Sequence, residues 1–241
     1  MDSSTSTRFV LVPGFWLGAW AWDRVAEPLR AAGADVQALT LPGLEGPGAD
    51  RGAVMLADHV SAVVDALEQD ADRPAVLVGH SGAGPVVHAA TDRAPHLVRR
   101  VVYVDSWPLP AGSAVMPDLD PALAEVRLPG WKTLEDDGNS LAGLTPADLA
   151  EFRTRAVAQP AGPAREPVSL SGGDGVLAVP VTVIASSLEA DDVRSLVAGG
   201  SQYFAELARL DATVVDLPTG HWPMFSRPDD LAAELLRAAG S

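Results

Sequence analysis

The stretch PAVLVGHSGAGPVVHAA, residues 74–90, joins an apolar run to a turn of small residues and then to a helix-like run. Gly79 stands two positions before Ser81, and Ala83 stands two positions after it. A strand that runs through G-x-S-x-small into a helix holds its serine on a tight, strained turn, and the flanking residues must be small so that strand and helix can cross closely. The stretch therefore predicts a serine exposed at the carboxyl end of a central strand.

Two other interpretations of this turn are open. In the first, the serine only caps the following helix within a glycine-rich packing turn. In the second, Gly79, Gly82 and Gly84 form a dinucleotide-binding loop, with Asp105 after the next strand as the ribose-binding acid. The spacing G-x-x-G-x-G and the position of the unit behind two earlier strands disfavour the second interpretation.

Apolar runs typical of buried strands alternate with helical patterns along the chain. The strand-like runs are 8–14, 34–43, 75–80, 99–106, 179–187 and 212–220. The helical patterns are 19–33, 55–69, 84–94, 190–200 and 228–240. Nearly continuous Val, Ile and Leu in such strands are typical of a parallel sheet covered on both faces. The sequence thus predicts an α/β fold with a mostly parallel sheet of about six strands and helices on both faces.

The segment 107–178 interrupts this alternation. It is rich in proline and glycine, and its clearest helical pattern, 145–157, begins with Thr145 at a position typical of an N-cap. Irregular insertions of this length in a compact sheet domain usually cover a site, although a plain surface excursion is the alternative. We expect a lid, or cap, after the fourth strand. The predicted division is a core of residues 1–106 and 179–241 and a lid of residues 107–178.

Net charge limits the classes of partner. The 241 residues include 17 basic and 32 acidic side chains, for a net charge of −15. Nucleic acids and anionic membranes attract basic surfaces, so we expect neither as a partner. The expected partner is a small-molecule substrate, and no pattern in the sequence assigns an oligomeric state.

Other features predict a cytoplasmic protein without a cofactor. The chain has no cysteine, which excludes disulfides and thiolate metal sites. His59, His88 and His96 have no neighbours at metal-ligand spacing, so no metal is expected. No apolar run reaches the roughly 18 residues that span a bilayer. The first residues, MDSSTSTRFVLVPG, lack the basic region and cleavage site of a signal peptide.

Three motifs resemble the α/β-hydrolase superfamily: GHSGAG at 79–84, VPGFWLGAWAW at 12–22 and TGHWPMFSRPDDLA at 219–232. They look most like the compact branch that contains plant methylesterases, hydroxynitrile lyases and small bacterial esterases. The resemblance covers nearly the whole chain and is poor in the predicted lid. It implies the α/β-hydrolase fold with a serine nucleophile.

A serine hydroxyl is a weak nucleophile at neutral pH and needs a base. His221 is the best candidate among five histidines, because the serine–acid–histidine order of this fold places the base after the last strand. Glu189 is favoured as the acid, since relatives carry an aspartate just after the penultimate strand. Asp105, after the fourth strand, is the alternative acid, and Asp191 or Asp192 are further candidates. His80 is expected to orient or pack beside the nucleophile.

Backbone amides are the expected oxyanion donors. The N–H of Gly82 lies at a helix N-terminus, where it can stabilise a developing negative charge. By resemblance, the second donor is the N–H of Phe15. Relatives usually have His-Gly where this chain has Pro13-Gly14, and proline should make this loop stiffer.

These residues together predict a carboxylic-ester hydrolase that works through an acyl-enzyme. The pocket walls are expected to come from Trp16, Trp107, Trp131, Phe152 and Trp222. A largely apolar pocket fits a small hydrophobic ester, lactone or thioester. The alternatives are a cyclase, acyltransferase or cofactor-free oxygenase that reuses the Ser/His site, and a homologue that only binds. Hydroxynitrile lyases resembling this chain carry a lysine after the histidine, where Trp222 stands here.

Overall fold

The structure is a computed structural model that describes residues 6–240. The expectation about the first five residues, and the outer ends of the predicted core at residues 1 and 241, lie outside the described residues. In chain order the strands are β1 (Arg8–Val12), β2 (Asp35–Ala38), β3 (Ala75–His80), β4 (Val98–Val104), β5 (Glu125–Val126), β6 (Gln159–Pro160), β7 (Val181–Ala185) and β8 (Ala212–Asp216).

One large sheet contains most of these strands. Its order within the described residues is β2-β1-β3-β4-β7-β8, and every neighbouring pair is parallel. Strands β5 and β6 form a separate antiparallel pair. The predicted sheet of about six strands is confirmed. Since parallel strands share their carboxyl ends at one edge, the residues that follow β1, β3, β4 and β8 meet at that edge.

The helices cover both faces of the sheet, as predicted. They are α1 (Asp23–Ala31), α2 (Leu56–Glu68), α3 (Gly84–Arg93), α4 (Trp131–Asp136), α5 (Pro146–Arg155), α6 (Ala161–Arg165), α7 (Ala190–Ala198), α8 (Pro223–Ser226) and α9 (Pro228–Gly240). In β1, the alternate residues Phe9 and Leu11 pack in the same layer as α1 and α9. Val10 and Val12 face the opposite layer, with α2 and α3. This alternation explains why strands buried on both faces read as unbroken apolar runs.

Several elements are shorter than the sequence patterns indicate. The run 34–43 contains only the four strand residues of β2, because the chain leaves the sheet before the turn at Pro42 and Gly43. The pattern 19–33 divides into a 3₁₀ turn at Ala19–Trp22 and α1, which continues through Pro28.

The inserted segment, residues 107–178, lies between β4 and β7 and contains β5, β6 and α4–α6. Trp16, in the loop after β1, makes three hydrogen bonds to it, one of which runs from its amide to Gln159 Oε1 at 3.4 Å. Its indole Nε1 donates to the carbonyl oxygen of Val126 at 3.0 Å, and its own carbonyl oxygen accepts from the Val157 amide at 3.1 Å. The inserted segment is therefore attached to the edge of the sheet where the strands end.

Within the described range, no helix has the length and apolar character required to cross a bilayer. In the same range, no three His, Cys, Asp or Glu side chains gather closely enough to hold a metal ion.

Gly84 controls the approach of α3 to the end of β4. A Cβ built there would overlap the Ser106 hydroxyl and lie 2.5 Å from the carbonyl oxygen of Trp107. We expect Gly84→Ala to lower the free energy of unfolding by about 1–3 kcal/mol, because backbone must move to admit the methyl group. Urea denaturation measures the change. Gly46→Ala is the control, since a Cβ there meets nothing within 4 Å; equal losses in the two variants would contradict the packing argument.

Candidate active site

Ser81 lies between β3 and α3 in a backbone conformation that non-glycine residues rarely adopt, with φ of 51°. The turn has no room for larger neighbours. A Cβ at Gly82 would lie 2.5 Å from the Phe15 ring. The Ser106 hydroxyl donates to the carbonyl oxygen of Ser81 at 2.5 Å, which holds the turn from the side of β4. The tight turn predicted from the sequence is thus present, with its serine at the carboxyl edge of the sheet.

His221 reaches this serine from the loop after β8. Its Nε2 lies 2.7 Å from Ser81 Oγ, across 140 positions of sequence. The loop is held by the inserted segment, because the Gly220 amide donates to Ala142 at 2.9 Å and the His221 amide donates to Ser140 at 2.7 Å. The His221 side chain is 11% exposed, so it meets the serine in a partly dehydrated site.

Asp105 contacts the other nitrogen of the imidazole. Its Oδ2 lies 2.5 Å from His221 Nδ1. A carboxylate accepts, so Nδ1 carries the proton and Nε2 is left to accept from the Ser81 hydroxyl. Asp105 itself follows β4 directly, with φ of 44°.

The Asp105 carboxylate is buried but well paired. The Ser187 hydroxyl donates to Oδ2 at 2.6 Å, and the amides of Ser187 and Ser186 donate to Oδ1 at 2.9 and 3.1 Å. Burial by itself raises the pKa of this carboxyl, but the hydrogen bond and charge of His221 and the bonds from Ser187 outweigh it and lower the pKa to about 2. The group is therefore ionised throughout the neutral range.

The geometry contradicts the preference for Glu189 as the acid. Glu189 is the exposed residue that precedes α7, and no hydrogen bond joins its carboxylate to another residue within 6–240. Asp191 is also turned away, in an ion pair with Arg194 at 2.6 Å. The physical reason is sheet order: β4 adjoins β3, whereas β7 lies one strand farther from Ser81. Asp105, the alternative, is the carboxylate in contact with the imidazole.

The two expected oxyanion amides lie in segments that touch. The Phe15 ring packs against Gly82, so closely that only glycine fits there. Neither the Phe15 amide nor the Gly82 amide donates a hydrogen bond to another residue of the described chain. Both N–H groups are thus available to a ligand beside Ser81.

A cavity of about 360 Å³ opens over Ser81, Gly82 and His221. Its lining is Ser81, Gly82, Pro85, Asp105, Ser106, Trp107, Leu109, Val115, Asp137, Gly138, Asn139, Ser140, Ser187, Leu188, Tyr203 and His221. Many of these residues come from irregular segments without any motif, so no sequence pattern points to Leu109, Val115, Leu188 or Tyr203. The observed wall is also more polar than the expected one.

Of the five aromatic residues predicted to line the pocket, only Trp107 does so. The prediction is wrong for Trp131, Phe152 and Trp222, because Phe152 packs between the other two rings in tilted and edge-on contacts. Ring centroids are 5.5 Å apart for Trp131 and Phe152 and 5.3 Å apart for Phe152 and Trp222. It is also wrong for Trp16, whose indole binds the inserted segment. Large aromatic side chains gain much from burial, and here Phe152 and Trp222 lie in the core while Trp131 packs against it.

Backbone strain marks the same edge of the sheet independently. Within the described chain, the non-glycine residues with positive φ are Trp16 at 67°, Ser81 at 51° and Asp105 at 44°. They follow β1, β3 and β4, which are neighbours in the sheet. Such conformations persist only where the surroundings enforce them, and they cluster at functional sites.

The reactivity of Ser81 should depend on Asp105 and not on Glu189. We expect a fluorophosphonate to label Ser81 in the native protein, and Asp105→Asn to slow labelling by about 10³-fold or more, because the amide favours the wrong imidazole tautomer. Glu189→Gln is the matched control and should label at the native rate. Intact-mass measurements give the labelling rates, and peptide mass spectrometry locates the labelled residue. Equal rates in the two variants would contradict the assignment of Asp105 as the acid.

Comparisons with known proteins show to which family the chain belongs. The model of the alpha/beta hydrolase family matches residues 9–234. A carbendazim hydrolyzing esterase from Nocardioides sp. (strain SG-4G) is 29% identical over 244 residues, which cover 95% of this chain and 98% of that protein. Methylesterase 7 from Arabidopsis thaliana is 32% identical over 123 residues, or 49% of this chain and 44% of that protein.

A solved structure has the same fold. The structure of an Arabidopsis methylesterase superposes with a TM-score of 0.75 at 21% identity and covers 97% of this chain and 99% of that one. With the family model spanning most of the sequence, from β1 into α9, the chain belongs to the α/β hydrolase family.

Proposed function

We propose that this protein hydrolyses small carboxylic esters, with Ser81 as the nucleophile, His221 as the base and Asp105 as the acid. The observation that carries the proposal is the continuous hydrogen-bonded series of these three side chains, at 2.7 and 2.5 Å, on the wall of a cavity. The similar proteins described above, an esterase and a methylesterase, support the same activity. They do not favour the cyclase, acyltransferase, oxygenase or binding-only alternatives.

The reaction follows from the positions of the protons. Ser81 Oγ attacks the ester carbonyl carbon while its proton passes to His221 Nε2. Asp105 keeps the Nδ1 proton in place and stabilises the imidazolium without taking the proton. The carbonyl oxygen becomes an oxyanion that accepts from the free amides of Gly82 and Phe15, an interaction for which one donor is worth roughly 3–4 kcal/mol.

Collapse of this intermediate completes the first half of the reaction. The bond to the leaving alkoxide breaks, and His221 gives its proton to that oxygen, so the alcohol departs and the acyl group remains on Ser81. Water then attacks the acyl carbonyl with the same imidazole as base. The acid leaves and the serine regains its proton, with no cofactor taking part.

The inserted segment acts as the lid in this proposal. It supplies Trp107 and residues 137–140 to the cavity wall, and its Ser140 carbonyl holds the loop of His221. Substrate selection is therefore assigned to this segment. The partner is a small molecule, and the cytoplasmic location stays a prediction.

Charge in the cavity narrows the substrate class. The lining residues within the described chain include the carboxylates of Asp105 and Asp137 but no lysine or arginine. Lys132, from the same part of the lid, points elsewhere and pairs with Asp136 at 2.7 Å. Asp105 is buried, and its oxygens accept from His221, Ser186 and Ser187, so Asp137 is the exposed carboxylate of this wall. Esters without a second, anionic group are the substrates that fit this wall.

Ester turnover tests the proposed function directly. The native protein should hydrolyse 4-nitrophenyl butyrate, and Ser81→Ala or His221→Ala should each lower kcat/KM by about 10³-fold or more, since the members of such a series act as one unit. Ser61→Ala, on α2, is the control and should retain native turnover. Full turnover by Ser81→Ala would rule out the acyl-enzyme.

A matched series of neutral, cationic and anionic acyl esters tests the charge argument. We expect Asp137→Asn to raise kcat/KM for the anionic ester by about threefold to tenfold relative to the neutral ester, because one unit charge near a half-exposed site is worth about 1 kcal/mol. The control, Glu135→Gln, removes the same charge from an exposed residue of α4 that does not line the cavity. Unchanged ratios in Asp137→Asn would show that this carboxylate does not select substrates.

A further inference from the structure

We propose that His80 is a positioning residue, which holds the backbone of His221 in place so that the imidazole meets Ser81. His80 Nε2 lies 2.8 Å from the carbonyl oxygen of His221, across 141 positions of sequence. This inference rests on the proposed function, because it assigns to His80 a part in the same reaction. His80 itself touches neither the proton nor the substrate.

The topology of the sheet explains why such an anchor is needed. His80 is the last residue of β3 and directly precedes Ser81. The loop of His221 follows β8, and β4 and β7 lie between β3 and β8 in the sheet. This loop must therefore pass the ends of two strands to bring the imidazole to the serine. The bond from His80 fixes the loop at the place where it arrives.

The backbone of His221 is held from two sides. Its amide donates to the Ser140 carbonyl of the lid at 2.7 Å, and its carbonyl oxygen accepts from His80. The two imidazole rings also lie in contact, with centroids 4.9 Å apart. With both polar groups of the residue engaged, the direction in which its side chain leaves the backbone is set by the lid and by β3 together.

The protonation state of His80 suits this role. A carbonyl oxygen only accepts, so Nε2 must carry the proton. Burial, followed by the charge of His221, lowers the pKa of His80 to about 3. His80 is thus a neutral donor at all working pH values, and it does not compete with His221 for the serine proton.

The other nitrogen of His80 argues against a role in packing alone. Nδ1 is buried and has no hydrogen-bond partner among residues 6–240. It faces Gly14, where a Cβ would lie only 2.8 Å from it. An unpaired buried acceptor is unfavourable, and a phenyl ring would fill the same space without one. The donor at Nε2 is the property that distinguishes histidine here.

Substitution separates positioning from packing. His80→Phe keeps a ring but removes the donor, and we expect kcat for 4-nitrophenyl butyrate to fall by about 10²-fold with KM changed less than about threefold, because a small misplacement of a catalytic group costs that much. His80→Gln retains a donor near the position of Nε2 and should recover kcat to within about fivefold of the native value.

His59→Phe is the matched control. His59 is equally buried, on α2, and its Nε2 lies 2.9 Å from the carbonyl oxygen of Pro42, away from the cavity. This variant loses the same kind of bond and should keep native kcat. Equal kcat in His80→Phe and His59→Phe, or equal losses in His80→Phe and His80→Gln, would overturn the proposal. A native protein that neither turns over esters nor reacts with a fluorophosphonate would overturn the proposed function instead.

A measurement on the native protein covers the case in which His80→Phe does not fold. Nitrogen-15 NMR of the histidine side chains should show His80 with its proton on Nε2 and no titration above about pH 4. A proton on Nδ1, or titration near neutral pH, would overturn the proposal without any variant.

Discussion

The site depends on one hydrogen bond, from the Ser81 hydroxyl to His221 Nε2, which joins two distant parts of the chain. The serine is part of a rigid turn between β3 and α3. The histidine lies on a loop that follows β8, which two strands separate from β3, and residues 217–222 of this loop form no helix or strand. The precision of the bond therefore comes from other contacts: the Ser140 and Ala142 carbonyls on one side and the His80 ring on the other.

The buried carboxylate of Asp105, which follows β4, is stabilised by hydrogen bonds from the end of the adjacent strand β7. A charge in this position is stable only because every nearby group donates to it. Three of its four hydrogen bonds come from Ser186 and Ser187, directly after β7. The sequence pattern predicts the acid in the segment after β7. In the structure this segment instead supplies hydrogen-bond donors to Asp105, which follows the neighbouring strand β4.

Local patterns in the sequence were sufficient for the fold and singled out Ser81 and His221, whose side chains the structure brings together. The turn around Ser81 and the alternation of apolar runs depend on short-range sterics, and the position of His221 follows from chain order. The choice between Glu189 and Asp105 depends on sheet order and on a positive φ, neither of which is visible in a list of residues. The pocket walls were mispredicted for a related reason, since Phe152 and Trp222 suit a core as well as a cavity.

Trp16 connects the lid to the loop that carries the Phe15 amide. Its indole and its carbonyl group are bonded to Val126 and Val157, both within residues 107–178. Under the proposed function, substrate selection by residues 107–178 and stabilisation of the oxyanion by the Phe15 amide are therefore coupled through Trp16. Replacing this segment with that of a relative would change the cavity wall and would also disturb the neighbouring Phe15 amide. A segment that takes its place must keep an acceptor for the Trp16 indole and a donor for the Trp16 carbonyl oxygen.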